Sequence, residues 1–96
     1  MQRITTRRIQ AKIYGRVQGV GFRAFVLNRA QVLGLAGAVR NVYFPSRHVD
    51  VVAEGPQPEL QSFIDLLQDG PPMSRVDKVD VTWLTPTGSF SQFRIA

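Results

Sequence analysis

Three glycines mark the first place where this chain could do chemistry. Gly15, Gly19 and Gly21 fall in the run Gly15-Arg-Val-Gln-Gly-Val-Gly21, and Arg23 follows two positions later. Glycine admits positive φ and leaves no Cβ in a ligand's path. Successive N–H groups of such a loop can converge on an anion. A helix starting just after it adds the partial positive charge of its N-terminus. Arg23 would then sit in the first helical turn, where a cation opposes the helix dipole. A bound anion removes that cost, and Arg16 inside the loop adds to the field. No Gly-Lys-Ser/Thr follows, so this is not a nucleotide P-loop, and the glycines are not spaced as in a dinucleotide fingerprint. Taken alone, the glycines fit a tight turn beside a solvated arginine equally well.

The charge distribution points the same way. The 96 residues carry 12 Arg or Lys against 7 Asp or Glu, a net charge of +5. The first 47 residues hold nine of the cations and no acid, and ten of the twelve are Arg. Arginine suits planar recognition of phosphate or carboxylate. Other chemistry is excluded by composition. There is no cysteine and one histidine, His48, so disulfides, thiolate nucleophiles and Cys- or His-based zinc sites are ruled out. No metal and no cofactor are expected. No apolar run approaches a membrane span, and Met1 to Arg8 lacks the apolar core of a signal peptide, so a cytoplasmic protein without a membrane partner is expected. The length supports one hydrophobic core. We expect a single domain over 1–96, with 1–6 as a flexible tail, and a monomer.

The elements that position the loop follow from periodicity. Arg7 to Tyr14 alternates, with Ile9, Ala11 and Ile13 on one face. Phe22, Phe25, Val26, Ala30 and Leu33 have helical spacing, and Gly34 is placed for a helix C-cap. Ala36 to Tyr43 and His48 to Glu54 read as strands joined by a turn at Phe44-Pro-Ser-Arg. Gly55 and Pro56 are expected to open a second helix carrying Leu60, Phe63, Ile64 and Leu67, ended by Gly70-Pro-Pro. Val76 to Leu84 is a fourth strand and Ser91 to Ile95 a short last one. This order predicts an α+β, ferredoxin-like βαββαβ sandwich, with an antiparallel sheet, two helices on one face and an extra C-terminal strand. The third strand then lies between the first two. The C-terminal ends of strands one and two reach one sheet edge, about 10 Å apart. The glycine loop and the residues late in strand two therefore share a site.

The run Gly15-Arg-Val-Gln-Gly-Val-Gly-Phe-Arg23 resembles the signature of the acylphosphatase family. Gly37-Ala-Val-Arg-Asn41 and Val51-Val-Ala-Glu-Gly55 resemble a second signature, so the likeness covers essentially the whole chain. It implies a stand-alone, metal-independent hydrolase that splits acyl phosphates into a carboxylate and inorganic phosphate. It also implies that the loop Gly15, Arg16, Val17, Gln18, Gly19, Val20, Gly21 and Phe22, with Arg23, holds the phosphate. The asparagine matching Asn41 positions the attacking water, and the topology independently brings Asn41 to the loop's edge. A carboxylate leaving group needs no general acid. A carboxamide is no base at neutral pH, so the phosphate itself is expected to take the proton.

The chain departs from the family pattern after Asn41. The family usually has Thr or a small polar residue next and a glycine in a short hairpin, whereas Val42-Tyr-Phe-Pro-Ser-Arg-His48 is longer, with Pro45 and no glycine. Tyr43, Phe44 and Arg47 are read as capping the sheet edge in preference to lining the acyl side. His48 is read as a strand residue, and Phe63 and Trp83 as core. The alternative functions are a nucleic-acid-binding or a small-molecule-sensing ferredoxin-like module. The first needs stacking aromatics on the central strands. Strand three has none and carries two acids, so no nucleic-acid partner is expected.

Overall fold

In the computed structural model, which describes residues 5–19 and 21–96, two helices pack on one face of a five-stranded sheet. The elements are β1 (Thr6–Arg16), α1 (Phe22–Val32), β2 (Ala36–Val42), β3 (His48–Pro56), α2 (Gln57–Asp69), β4 (Arg75–Leu84) and β5 (Phe93–Ile95). The strands lie in the order β4-β1-β3-β2-β5, so β3 separates β1 from β2 as expected. The β1–β3, β1–β4 and β2–β3 pairs are antiparallel. The extra C-terminal strand β5 joins this antiparallel sheet at its edge by pairing parallel with β2, which makes the five-stranded sheet mixed.

Alternation decides which face is covered. Ile9, Ala11 and Ile13 of β1 and Val49, Val51 and Ala53 of β3 are fully buried beneath the helices. Phe22, Val26 and Ala30 of α1 and Leu60, Phe63, Ile64 and Leu67 of α2 close the core from above. Each Val, Leu, Ile or Phe side chain among these contributes about 1.5–3 kcal/mol by leaving water, and each Ala less. The opposite face carries Arg8 and Gln10 of β1 with Asp50 and Glu54 of β3, tied by cross-strand hydrogen bonds.

Three boundaries differ from expectation. β1 begins at Thr6, which pairs with Pro56, and continues through Arg16. Residues 1–4 of the expected tail lie outside the described residues. Gly55 and Pro56 end β3 and do not open α2. Gly55 pairs with Arg7 against the Leu35 side chain, and Pro56 is the extended N-cap, leaving Pro58 in the first turn. β5 is confined to Phe93–Ile95, where the backbone reaches β2.

Candidate active site

The loop departs from β1 through a bulge. Register against β4 shifts between Tyr14 and Gly15, and Gly15 has φ +129°. A Cβ there would collide with the Arg75 carbonyl oxygen and come within 2.8 Å of the Asp77 nitrogen. Close backbone approach therefore demands glycine. At Gly19 (φ +75°) and Gly21 (φ +74°) there is open space around a built Cβ, and it is the left-handed backbone that selects glycine.

Gly21 is the N-cap of α1 and offers no capping side chain, and the first turn contains no acid. The leading N–H groups of α1 are thus left without a side-chain acceptor, an arrangement that favours an anion. Phe22 anchors this turn by burying its ring in the core. The next side chain, Arg23, is exposed and makes no ion pair or side-chain hydrogen bond among the described residues.

One cleft gathers these groups. It has a volume of about 230 Å³ and is lined by the loop residues Val17, Gly19 and Gly21, the α1 start at Phe22, Arg23 and Ala24, and by Asn41 and Ile95. Asn41 stands late in β2, paired with Val49, and is one of the residues lining this cleft. Its Nδ2 points to the Tyr43 hydroxyl at 3.5 Å, and its Oδ1 is buried without a hydrogen-bond partner among the described residues. A buried acceptor left unpaired costs about 1–3 kcal/mol, so such an atom is ordinarily found where something donates to it.

Not every loop side chain turns toward this cleft. Gln18 Nε2 donates to the Val42 and His48 carbonyls, both at 3.1 Å, at the last rung of the β2–β3 ladder. It latches the loop to the hairpin that follows Asn41. Arg16 lines a smaller cleft of about 140 Å³ with Gly15, Val17, Gln18 and Arg47. Val20 lies outside the described residues. Ile95 was missed by sequence reasoning. Nothing in its own residue type signals the site, and only the parallel pairing of β5 beside β2 carries it there. Tyr43 was read as a cap on the sheet edge, and the structure sets its hydroxyl beside Asn41. His48 is buried at the start of β3, its ring 5.2 Å from that of Tyr14 and its Nδ1 3.0 Å from the Ser46 carbonyl.

The excess of cations in the first half resolves by strand pairing. Arg8 donates to Glu54 at 2.6 Å and Arg40 to Asp50 at 3.3 Å, so β3 supplies the acids that β1 and β2 lack. Arg7 stacks over Trp83, Arg29 over Phe25 and Arg47 over Tyr43. Among the described residues no acid lines the cleft of Arg23. Far along β3 from the site, burial would raise the Glu54 pKa. It is outweighed by hydrogen bonds from the Thr87 N–H, Arg8, the Gly88 N–H and the Thr87 hydroxyl, which lower it to about 2. That carboxylate pins the β4–β5 connection onto the open face of the sheet. The cleft itself can hold a compact, doubly charged anion between backbone N–H groups and a guanidinium, with the Asn41 carboxamide alongside.

Comparison with known proteins agrees with this chemistry. The acylphosphatase family model matches residues 9–95. An acylphosphatase of Salinibacter ruber is 44% identical over 95 residues, covering 99% of this chain and 98% of that one. The crystal structure of acylphosphatase from Bacillus subtilis superposes with a TM-score of 0.87 at 38% identity, covering 96% of this chain and 99% of that chain. The crystal structure of full-length HypF in the phosphate- and nucleotide-bound form matches at TM-score 0.88 and 31% identity. There the likeness covers 99% of this chain and only 12% of that one.

Proposed function

The chain belongs to the acylphosphatase family, and from that membership we propose how its own residues hydrolyse an acyl phosphate. The phosphoryl group sits in the loop Gly15–Phe22, with the N–H groups of the loop and of the first α1 turn donating to its oxygens. Arg23 adds a charge-assisted contact that strengthens as charge spreads over the equatorial oxygens in the transition state. Asn41 accepts a hydrogen bond from the attacking water through Oδ1 and holds it in line. The water oxygen bonds to phosphorus, and the bond from phosphorus to the acyl oxygen breaks. The carboxylate leaves with the electron pair, and a phosphoryl oxygen takes the proton. A carboxylate is a weak base, so no side chain has to protonate it. Arg16 adds to the field near the loop, and the Gln18 side chain braces the hairpin.

The observation that carries this reading is the cleft that Gly19, Gly21, Arg23 and Asn41 line together. We read the protein further as a single-domain cytoplasmic monomer with no resident cofactor. The outer face of β3 presents His48, Asp50 and Glu54, which gives a nucleic-acid role no stacking platform. The test is phosphate release from benzoyl phosphate by the purified chain without added metal. Release above background is expected, and its absence would sink the mechanism.

A further inference from the structure

We infer that Tyr43 is a positioning residue for the attacking water, acting through Asn41. The inference rests on the hydrolytic reading above. A carboxamide has one end that accepts and one that donates, and only the accepting end can hold a water whose oxygen must remain free to attack. Which end faces the cleft is set by what the other end touches. Here Nδ2 of Asn41 faces the Tyr43 hydroxyl at 3.5 Å, while Oδ1 is the buried atom without a partner. The neighbouring Val42 has no polar side-chain atom to do this. Catalytic hydrogen bonds commonly shorten once substrate closes a site, and a phenol oxygen can accept one from the amide.

Two further contacts hold the tyrosine in place. Its ring lies under the Arg47 guanidinium, 5.9 Å from the ring centre. The backbone between Asn41 and Tyr43 is fixed by the Gln18 donation to the Val42 carbonyl at 3.1 Å. In-line displacement also assigns the side on which Tyr43 acts. The carboxylate departs opposite the entering water. A group touching the water-holding amide therefore serves the nucleophile and not the acyl group.

The test is Tyr43→Phe, which removes only the hydroxyl from a side chain that is 53% exposed, with thermal unfolding as the check that folding is unchanged. With benzoyl phosphate, kcat should fall about 5-fold, the worth of one neutral hydrogen bond, while KM and inhibition by inorganic phosphate stay unchanged. In an Asn41→Ala background the same substitution should have no effect on kcat. In 1H–15N spectra, Tyr43→Phe should move the Asn41 side-chain NH2 peaks, a readout that needs no turnover. Wild-type kcat in Tyr43→Phe, an equal loss in the Asn41→Ala background, or unmoved Asn41 peaks would each overturn the assignment. A wild-type chain that fails to hydrolyse benzoyl phosphate would instead overturn the hydrolytic reading, and with it any role of Tyr43 in turnover, while the NH2 peaks still report whether the contact exists.

Discussion

Gly15 and Gly19 sit four residues apart in one loop, yet replacing each by alanine should fail for different reasons and by different amounts. At Gly19 the backbone is left-handed (φ +75°) and the space around a Cβ is open. The strain of a left-handed alanine, about 1–2 kcal/mol, is partly offset by the stiffer unfolded chain, for a net loss of about 1 kcal/mol. At Gly15 the φ of +129° is joined by a collision with the Arg75 carbonyl. Relief requires β1 to part from β4 beyond the bulge, where Gly15 pairs with Val76 and Arg16 with Arg75. Losing about two ladder hydrogen bonds at about 1 kcal/mol each, on top of the backbone strain, gives about 3–4 kcal/mol. Urea unfolding reads the difference. With a slope of about 1.5 kcal/mol per molar, Gly19→Ala should lower the midpoint by under about 1 M and Gly15→Ala by more than about 2 M. Amide exchange should show Gly15→Ala loosening the start of β4 specifically. Equal midpoints for the two variants, or undisturbed β4 amides in Gly15→Ala, would refute the claim that backbone crowding fixes the loop's departure.

Other predictions follow from single contacts. Arg23→Ala should cut kcat/KM for benzoyl phosphate by about 10²-fold or more, as loss of a charged contact in the transition state does, with stability barely changed because the side chain is exposed. Gln18→Leu should cost about 1–2 kcal/mol in urea unfolding, because the Val42 and His48 carbonyls lose their shared donor, and should lower kcat by freeing the hairpin beside Asn41. Glu54 is held at a pKa of about 2 against its ordinary 4.5. The group's folded pKa is depressed, so the stability it contributes is complete above about 4.5 and is lost as pH falls toward 2. That contribution is on the order of 2 kcal/mol after discounting for solvent over the open face, and Glu54→Gln should flatten acid denaturation in this window.

Much of the fold was legible because its periodic segments are clean. β1 alternates around Ile9, Ala11 and Ile13, and α2 repeats Leu60, Phe63, Ile64 and Leu67 at helical spacing, and these are the faces that the structure buries. Boundaries set by tertiary contact were less readable. Gly55 and Pro56 look like a helix entrance, yet pairing with Arg7 and packing on Leu35 keep them in the sheet. β5 lies parallel beside β2 after a connection that Glu54 tethers, a contact between residues more than thirty positions apart that local pattern does not signal. At the site, the glycine loop, Arg23 and Asn41 are visible from spacing and topology, and of these Gly19, Gly21, Arg23 and Asn41 line one cleft. The turning of Gln18 toward the hairpin, the approach of Tyr43 to Asn41 and the arrival of Ile95 were not, because each is decided by long-range packing and not by local pattern.

In the proposed reaction Asn41 holds the water while the loop and Arg23 hold the phosphate. Steady-state kinetics of Asn41→Ala with benzoyl phosphate, alongside inhibition by inorganic phosphate, separate those roles. In Asn41→Ala, kcat should fall by about 10²-fold, as for a misplaced nucleophile, with the phosphate inhibition constant unchanged. Full turnover in Asn41→Ala, or a loss carried entirely by weaker phosphate binding, would contradict this division of roles.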